Sequence, residues 1–484
     1  MPVCVSVVEA SMDEAVKAVT QAKQRGADLV EVRFDLMDRL PEDLTPLKNL
    51  DIPKIATLRS EAQGGRSKLD DAARLRFLRR AARAGFTYVD LENNGVLLKA
   101  RDRDFRSTDL IISHHDLEGT PPAGRVIDIM LAGSAKGGLA KGAFTVRSVT
   151  DLHSLVSAGK LLGLTGHPFV LLGMGELGKV TRFRYDRMGS AFTFASLEPG
   201  KEAAPGQVDL ATMREMEGGV ITGLTGTPLG HSVSPAMHDA AFRQLGIPGR
   251  YLLFPAQTEE LGALMELVRD LDIQGLNVTI PHKEEVVGLM DRIDPVAERV
   301  GAVNVVVNDK GRLVGKNTDV SGLAKTFEKA GASVRGKRAL VIGAGGAARA
   351  CCAFLASEKA SIFVTSRTFA RAEEVARTFS GQAIELNAAA SQEFDVVVNC
   401  TPAGMKGYPS ELPIDPGVFR PGQTAMDVVY NPIRTPFLAE AEARGAKIIS
   451  GMEMLIYQAM DAFEAWTGQR PPYEVMAGAA RTEQ

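Results

Sequence analysis

Along the first stretch of the chain, short β-branched apolar runs alternate with helical segments, the arrangement expected of parallel strands covered by helices. The runs read VCVSVV from Val3, LVEVRF from Leu29, IPKIATLR from Ile52, YVDLE from Tyr88, DLIISHH from Asp109, GLAKGAF from Gly138, PFVLLGM from Pro168 and AFTFASLE from Ala191. Eight strands in about 200 residues match the minimal size of a (β/α)8 barrel, in which chemistry collects at the C-terminal ends of the strands. Polar residues fall at those ends: Glu31 and Arg33, Arg59, Glu92, His115, and Arg182 in the loop expected after the seventh strand. Around the sixth run, Gly142 and the segment KGGLAKG resemble a loop as much as a strand.

After LEPGKEAAPGQ the pattern resets. A polar segment around Glu215 to Gly219 leads into a new strand, VITGL, and α/β alternation resumes to about Leu323. RALVIGAGGAARACCAFLA then opens a βαβ unit, and a final amphipathic run, GMEMLIYQAMDAFEAW, is expected to pack back on the preceding lobe. The expected domains are 1–215, a barrel; 216–322, an α/β lobe; 323–450, a dinucleotide-binding domain; and 451–484, C-terminal helices returning to the 216–322 lobe.

A chain of 484 residues suits two or three domains rather than one core, and 45% hydrophobic with 24% charged residues is ordinary globular usage. The net charge of -3 offers no basic footprint for nucleic acid, and no Lys/Arg run suggests an anionic membrane. Small-molecule chemistry is expected. The N-terminus lacks a basic segment before an apolar core, no apolar run approaches the roughly 20 residues of a membrane helix, and neither export nor anchoring is expected. Of four cysteines, Cys351 and Cys352 are adjacent, with neither disulfide nor zinc spacing, which fits a reducing cytoplasm. The sequence does not reveal an oligomeric state.

In ALVIGAGGAARA a hydrophobic strand runs into Gly343, Gly345 and Ala348, a G-x-G-x-x-A fingerprint with Gly346 as an extra glycine. Such glycines let backbone N–H groups approach a pyrophosphate at a positive helix N-terminus, so Gly343, Ala344, Gly345, Gly346 and Ala347 are the expected cradle. The next strand, SIFVTSRT, ends where an NAD enzyme usually carries an acidic residue. Here stand Ser366, Arg367 and Thr368, with Arg371 one helical turn later. Guanidiniums pair with a 2'-phosphate that a carboxylate would repel, so the expected cofactor is NADP.

Upstream lie GTPLGHSVSPAMH, GLNVTIPHKE, GAVNVVV and GKNTDVSG, which together resemble shikimate dehydrogenases from about Val220 to Ala479. That resemblance implies that Ser232 and Ser234 bind the substrate carboxylate, and that Asn277, Thr279, Asn304 and Gln458 bind ring hydroxyls. It also implies that Lys283 and Asp319 form a catalytic pair passing a proton to or from the alcohol as hydride moves. NCTPAGM, DVVYNP and SGMEMLIYQA continue the match, with Tyr430 beside the substrate and Val428 and Gly451 near the nicotinamide. Taken singly, PHKEE reads as a helix turn with a solvated lysine and NTD as an Asx turn or cap. Ser366 departs from the family, which commonly has Asn there.

The motifs EVRFD, TLRSEAQGG, SHHD, GMGELGKVTR and APGQ resemble type I 3-dehydroquinate dehydratases from about Val3 to Gln207. The resemblance implies a pocket of Ser6, Glu31, Val32, Arg33, Arg59, Arg182 and Gln207, and three arginines suit a carboxylated polyhydroxy ketone. It further implies a Schiff base between a lysine and the ketone, with His115 removing the α-proton and no metal or organic cofactor. His114 is expected to point the other way on its strand. For the lysine, spacing from VTDLHSL selects Lys141 over Lys136, although the family's acidic-apolar run before it is missing. A lysine in a barrel mouth would be desolvated, favouring the nucleophilic amine, whereas local sequence alone suggests a solvated loop lysine. Gln63 stands where the family has Glu, and Ala203 where it has Ser. Gln63 can hydrogen-bond His115 but not balance an imidazolium, Glu61 or Glu92 being possible substitutes, so slower barrel turnover is expected.

The resemblances together imply a bifunctional enzyme: an N-terminal TIM barrel converting 3-dehydroquinate to 3-dehydroshikimate, then a two-lobed α/β dehydrogenase with a Rossmann NADP domain reducing it to shikimate. The alternative is a shikimate or quinate dehydrogenase carrying a degenerate barrel as a binding module.

Overall fold

The computed structural model describes residues 2–94, 105, 108–135, 137–230 and 232–482. They form two compact units, one of residues up to Gly219 with Gly262–Asp272, the other of Val220–Leu261 with Ile273 onward. Among the described residues no helix is long and apolar enough to cross a membrane.

In the first unit all eight anticipated runs are strands: β1 (Val3–Val7), β2 (Leu29–Arg33), β3 (Lys54–Thr57), β4 (Tyr88–Glu92), β5 (Asp109–Asp116), β6 (Leu139–Thr145), β7 (Phe169–Met174) and β8 (Thr193–Ser196), followed by a short β9 (Val208–Asp209). They pair in parallel in the order β7-β6-β5-β4-β3-β2-β1-β8-β9 and curl into a barrel. The seam between β7 and β8 is bridged by Ser190, whose hydroxyl accepts from the Leu171 N–H at 2.9 Å and donates to the Leu171 carbonyl at 3.2 Å. Beside it the Ala191 N–H donates to the Phe169 carbonyl at 2.8 Å.

Strand alternation builds the interior in layers. Cys4, Leu29, Ile55, Tyr88, Ile111, Leu139 and Phe194 form one apolar cluster. Because side chains two residues apart share a face, the next layer toward the C-terminal ends is Ser6, Glu31, Thr57, Asp90, Ser113, Lys141 and Ser196. The glycines that blur the sixth run serve packing: a Cβ on Gly142 would meet the Met130 sulfur at 2.7 Å, and Met130 lies on the covering helix Ala123–Ser134.

The second unit carries two six-stranded sheets. One contains β10 (Val220–Gly226), β11 (Gly249–Pro255), β12 (Gly275–Val278), β13 (Arg292–Ile293), β14 (Val305–Asp309) and β15 (Arg312–Lys316), ordered β11-β10-β12-β14-β15-β13. The helix Met452–Thr467 returns to it: Met452, Ile456, Ala459, Met460 and Phe463 share a core with Val233, Met237, Ala241 and Phe242. Trp466 donates its indole N–H to the Val306 carbonyl at 2.9 Å and lies so close to Gly275 that a Cβ there would meet Nε1 at 2.2 Å.

The other sheet contains β16 (Arg338–Ile342), β17 (Ser361–Thr365), β18 (Gln382–Ala383), β19 (Val396–Asn399), β20 (Thr424–Asp427) and β21 (Lys447–Ile449). It is wholly parallel in the order β18-β17-β16-β19-β20-β21, the 3-2-1-4-5-6 arrangement of a Rossmann fold. The order reverses between β16 and β19, and the crevice outside their C-terminal ends is where such sheets bind dinucleotides.

Replacing Ser190 with Ala strands the buried Leu171 N–H. Unfolding of the barrel is expected to become easier by about 1–3 kcal/mol, with the Leu171 amide exchanging faster with solvent; unchanged exchange would show that the seam does not depend on this hydroxyl.

Candidate active sites

At the barrel mouth, Lys141 of β6 is buried and lies between two carboxylates, with Nζ 3.0 Å from Glu31 Oε1 and 3.2 Å from Asp90 Oδ2. It also sits 4.2 Å from the centre of the Phe194 ring. The lysine is therefore desolvated, as expected of a barrel interior, and is not the solvated loop residue that its glycine-rich surroundings suggest. It is not a bare amine either. Two carboxylates flank it, and of these Asp90 is placed to take the proton an amine must lose before attacking a carbonyl, since the cations around Glu31 keep that group ionised. Lys136, the other lysine weighed, lies outside the described residues.

Glu31 is the hub of the layer. It accepts from Ser6 at 3.0 Å, Thr57 at 3.0 Å and Lys141, and Arg59 approaches to 3.4 Å. Burial alone would push its carboxyl up, but Lys141, Arg59 and Arg33 outweigh it and hold the group well below the usual carboxylate range. Gln207 Nε2 donates to Ser6 at 3.2 Å, and its Oε1 accepts from the Ala203 N–H at 2.6 Å. Val32 is buried on the opposite face of β2 from Glu31 and Arg33.

Asp90 escaped the sequence reading. It lies two residues before Glu92 on β4, where the i, i+2 rule would have found it, and it accepts from Ser113 as well as Lys141.

His115 is buried, and its ring Nδ1 lies 3.1 Å from Gln63 Oε1, which also accepts from the His115 backbone N–H at 3.1 Å. A backbone N–H can only donate, so the amide oxygen must face it, and Nδ1 must carry the shared proton. Nε2 keeps its lone pair for proton abstraction. Burial, with Arg59, Lys141 and Arg33 nearby, pushes the imidazole well below its ordinary value, so it is neutral at neutral pH. His114 turns the other way, its ring 5.6 Å from Phe144. Glu92 is committed to Ser60 and Arg74, and Glu61 lies outward near Lys68.

The three arginines are buried. Arg33 is held bidentately by Asp35 at 2.9 and 2.8 Å. Arg182 sits in a short helix, Lys179–Phe183, rather than the loop expected, and donates to the Phe194 carbonyl at 3.4 Å. Burial lowers its pKa to about 10. Arg33 NH1, Arg59 Nε and Arg182 Nε have no acceptor among the described residues. Buried cationic donors left open in this way suit an anionic, oxygen-rich ligand. A cavity of about 480 Å³ is lined by Glu176, Lys179, Glu202 and Ala203 to Gln207.

In the second unit, Lys283 Nζ lies 2.6 Å from Asp319 Oδ2, and Asn304 donates to Asp319 Oδ1 at 2.8 Å. The Asx turn that NTD suggests is real: Asn317 Oδ1 accepts from the Asp319 N–H at 3.1 Å. It fixes the carboxylate at the start of the helix Asp319–Lys329. Gln458 Oε1 lies 3.4 Å from Asn304 Nδ2. Ser232 bonds Tyr430, Ser234 bonds Tyr251, and the Tyr251 hydroxyl donates to Asn277 Oδ1 at 2.7 Å. Thr279 fits only because residue 226 is glycine, where a Cβ would meet its methyl at 2.4 Å. The Ser234 N–H also donates to Ser232 Oγ at 3.3 Å and Asn277 Nδ2 to the Asn304 carbonyl at 3.5 Å, so six of the seven polar residues expected around a substrate are joined by hydrogen bonds, with Thr279, just after β12, packed against Gly226. His238, not singled out in the sequence, stacks on Tyr251 with ring centres 4.3 Å apart; burial drops its pKa to about 3, so it is a neutral packing partner.

The glycine turn fits a dinucleotide. Gly343 has φ 118°, and a Cβ there would press on the Cys400 carbonyl at 3.2 Å across the β16–β19 crevice. Ala344 and Gly345 lead into the helix Gly346–Ser357, whose first N–H groups lack intrahelical acceptors. Ala347 is in its first turn. A Cβ on Gly346 would meet Lys283 Cβ at 2.9 Å, so this extra glycine admits the lysine stem. Gly451 likewise admits Val428, whose carbonyl would lie 2.3 Å from an added Cβ. After β17, Ser366 is turned onto the Thr368 carbonyl at 2.7 Å, Arg367 is exposed, and Arg371 lies 3.3 Å from Glu284.

Comparison with known proteins finds a model of type I 3-dehydroquinase over residues 3–217, of the shikimate dehydrogenase substrate binding domain over 224–306, of shikimate / quinate 5-dehydrogenase over 324–406, and of the shikimate 5'-dehydrogenase C-terminal domain over 451–481. A chloroplastic bifunctional 3-dehydroquinate dehydratase/shikimate dehydrogenase of Arabidopsis thaliana is 32% identical over 98% of this chain and 83% of its own length. A shikimate dehydrogenase (NADP(+)) of Moorella thermoacetica is 43% identical over 53% of this chain and 90% of its own. The crystal structure of shikimate 5-dehydrogenase from Thermus thermophilus with NADP(H) and shikimate matches with a TM-score of 0.52 and 37% identity, over 55% of this chain and all of that one.

Restoring a carboxylate beside the imidazole by Gln63→Glu should favour the charged ring and raise the His115 pKa. In the unmodified chain the acid limb of kcat/KM at the barrel is expected well below pH 6.5, because the base stays neutral until then. With Gln63→Glu that limb should move to higher pH and turnover at neutral pH should rise; an unmoved limb would mean that His115 is not the titrating base.

Proposed function

Because the chain belongs to the family of bifunctional 3-dehydroquinate dehydratase/shikimate dehydrogenases, a lyase joined to an NADP-dependent oxidoreductase, we propose that Lys141 with His115 runs the first reaction and Lys283 with Asp319 the second. We assign residues 1–215 to the dehydratase, 216–322 to shikimate binding, 323–450 to NADP and 451–484 to the helices that close the substrate lobe.

In the barrel, Lys141 passes a proton to Asp90, 3.2 Å away, and attacks the ketone of 3-dehydroquinate, while Glu31 stays ionised. Loss of water gives an iminium, an electron sink for the neighbouring carbon. His115 Nε2 takes the α-proton, the electron pair forms the ring double bond, and the hydroxyl of the next carbon leaves as water on receiving a proton. Hydrolysis of the iminium frees 3-dehydroshikimate and the lysine. Arg33, Arg59 and Arg182 hold the substrate's carboxylate and hydroxyls, with Ser6 and Gln207 completing the pocket. The observation that carries this reading is a buried lysine between carboxylates, one layer below a neutral histidine, in a pocket with open guanidinium donors. A degenerate barrel would have no reason to keep such costly groups buried.

In the second half, bound NADPH supplies the hydride. Lys283 donates the proton that the reduced carbonyl oxygen requires, and Asp319 holds the ammonium in place through its 2.6 Å contact. Ser232 and Ser234 take the carboxylate of 3-dehydroshikimate, while Asn277, Thr279, Asn304 and Gln458 take its ring oxygens beside Tyr430. The barrel's product is the dehydrogenase's ketone, so the pair works in the direction of reduction.

Borohydride added with 3-dehydroquinate should leave a mass adduct on Lys141; no adduct on Lys141 or Lys136 sinks the Schiff base. Lys141→Ala should abolish dehydration and leave reduction intact. Lys283→Ala should do the reverse, lowering kcat of the reduction by roughly 10²–10⁴-fold. Loss of both activities in either variant would speak against two independent centres.

A further inference from the structure

Glu284 follows Lys283 directly, and its carboxylate is held in the cofactor region. Oε1 lies 3.3 Å from an Arg371 nitrogen and 3.9 Å from where a Gly345 Cβ would stand, while Oε2 lies 3.4 Å from Arg349 Nε. Arg349, on the helix that starts at the glycine turn, is buried and also pairs with Glu374. Arg371 is exposed, and Glu284 is its carboxylate partner. A carboxylate set between a guanidinium and the turn at a helix N-terminus occupies a place suited to phosphate oxygens.

We propose that Glu284 is a cofactor-specificity residue: an internal anion that stands in for phosphate on Arg371 and that the cofactor's 2'-phosphate must displace. The inference rests on the reading of Arg371 as a ligand of that phosphate. Glu284 takes one Arg371 N–H, and its negative charge beside that guanidinium repels a phosphate approaching the remaining donors, so the two anions oppose each other at Arg371. The competition costs NADP affinity and leaves NAD, which carries no 2'-phosphate, untouched. Glu284 therefore narrows the preference that Arg367 and Arg371 create.

Calorimetric titration of the full chain with NADP⁺ and with NAD⁺ tests this without turnover. Glu284→Gln keeps the side chain's shape and removes its charge. It should tighten NADP⁺ about two- to fivefold, the scale of an exposed ion pair, and leave the NAD⁺ dissociation constant within error of the parent's. Arg371→Ala should weaken NADP⁺ alone, and the double variant should match Arg371→Ala, because the two residues act through one contact. If Arg371→Ala leaves NADP⁺ binding unchanged, the assignment of Arg371 fails and the inference falls with it. If Arg371→Ala weakens NADP⁺ but Glu284→Gln leaves it unchanged, weakens it, or shifts both nucleotides equally, the assignment stands and the competition alone is overturned.

Discussion

A charge can be kept out of water only where an opposite charge or a full set of hydrogen bonds meets it, and both candidate catalytic centres of this chain are built on that constraint. In the barrel, Glu31 is acceptable inside because Ser6, Thr57 and Lys141 donate to it and Arg59 stands nearby. Lys141 is acceptable because Glu31 and Asp90 flank it. Each group is the condition for burying the next, and the parallel ladder holds them in one layer above the apolar one. The compensation stops at Arg33 NH1, Arg59 Nε and Arg182 Nε, the donors proposed to meet a substrate's own charge. In the dehydrogenase half the same rule works with fewer members, Lys283, Asp319 and Asn304, and with shallower burial of the lysine.

Close approach is the second device. Gly346 and Gly451 are glycines because a lysine stem and a backbone carbonyl stand where their side chains would be. The dinucleotide turn thereby does two things at once. It exposes N–H groups to phosphate, and it seats Lys283, so the proposed proton donor and the cofactor are registered against the same few atoms of backbone.

The period-2 pattern made the eight barrel strands legible, and the glycine fingerprint made the Rossmann crevice legible, since both are local properties of the chain. The polar positions at the strand ends were legible for the same reason. Asp90 was legible only as a position sharing a strand face with Glu92, because the strand YVDLE gives no sign of which of its two acids meets a lysine 51 residues on. Gly142 misled: a glycine in a strand looks like a break, and only the helix packed on it reveals the missing Cβ as a requirement. The occupation of Arg371 by Glu284 was illegible too, since it depends on two segments 87 residues apart being brought together.

The chain has a single tryptophan, Trp466, and it stands in the second half, against Tyr251 and His238 and over Gly275. Tyr251 in turn touches Asn277, one of the residues placed around the substrate. Indole emission from this molecule is therefore a private signal of the reductase: its colour and intensity follow that lobe, while the barrel is optically silent at the same wavelength. One native chromophore, with no label added, separates the two halves of a two-enzyme polypeptide in a single cuvette.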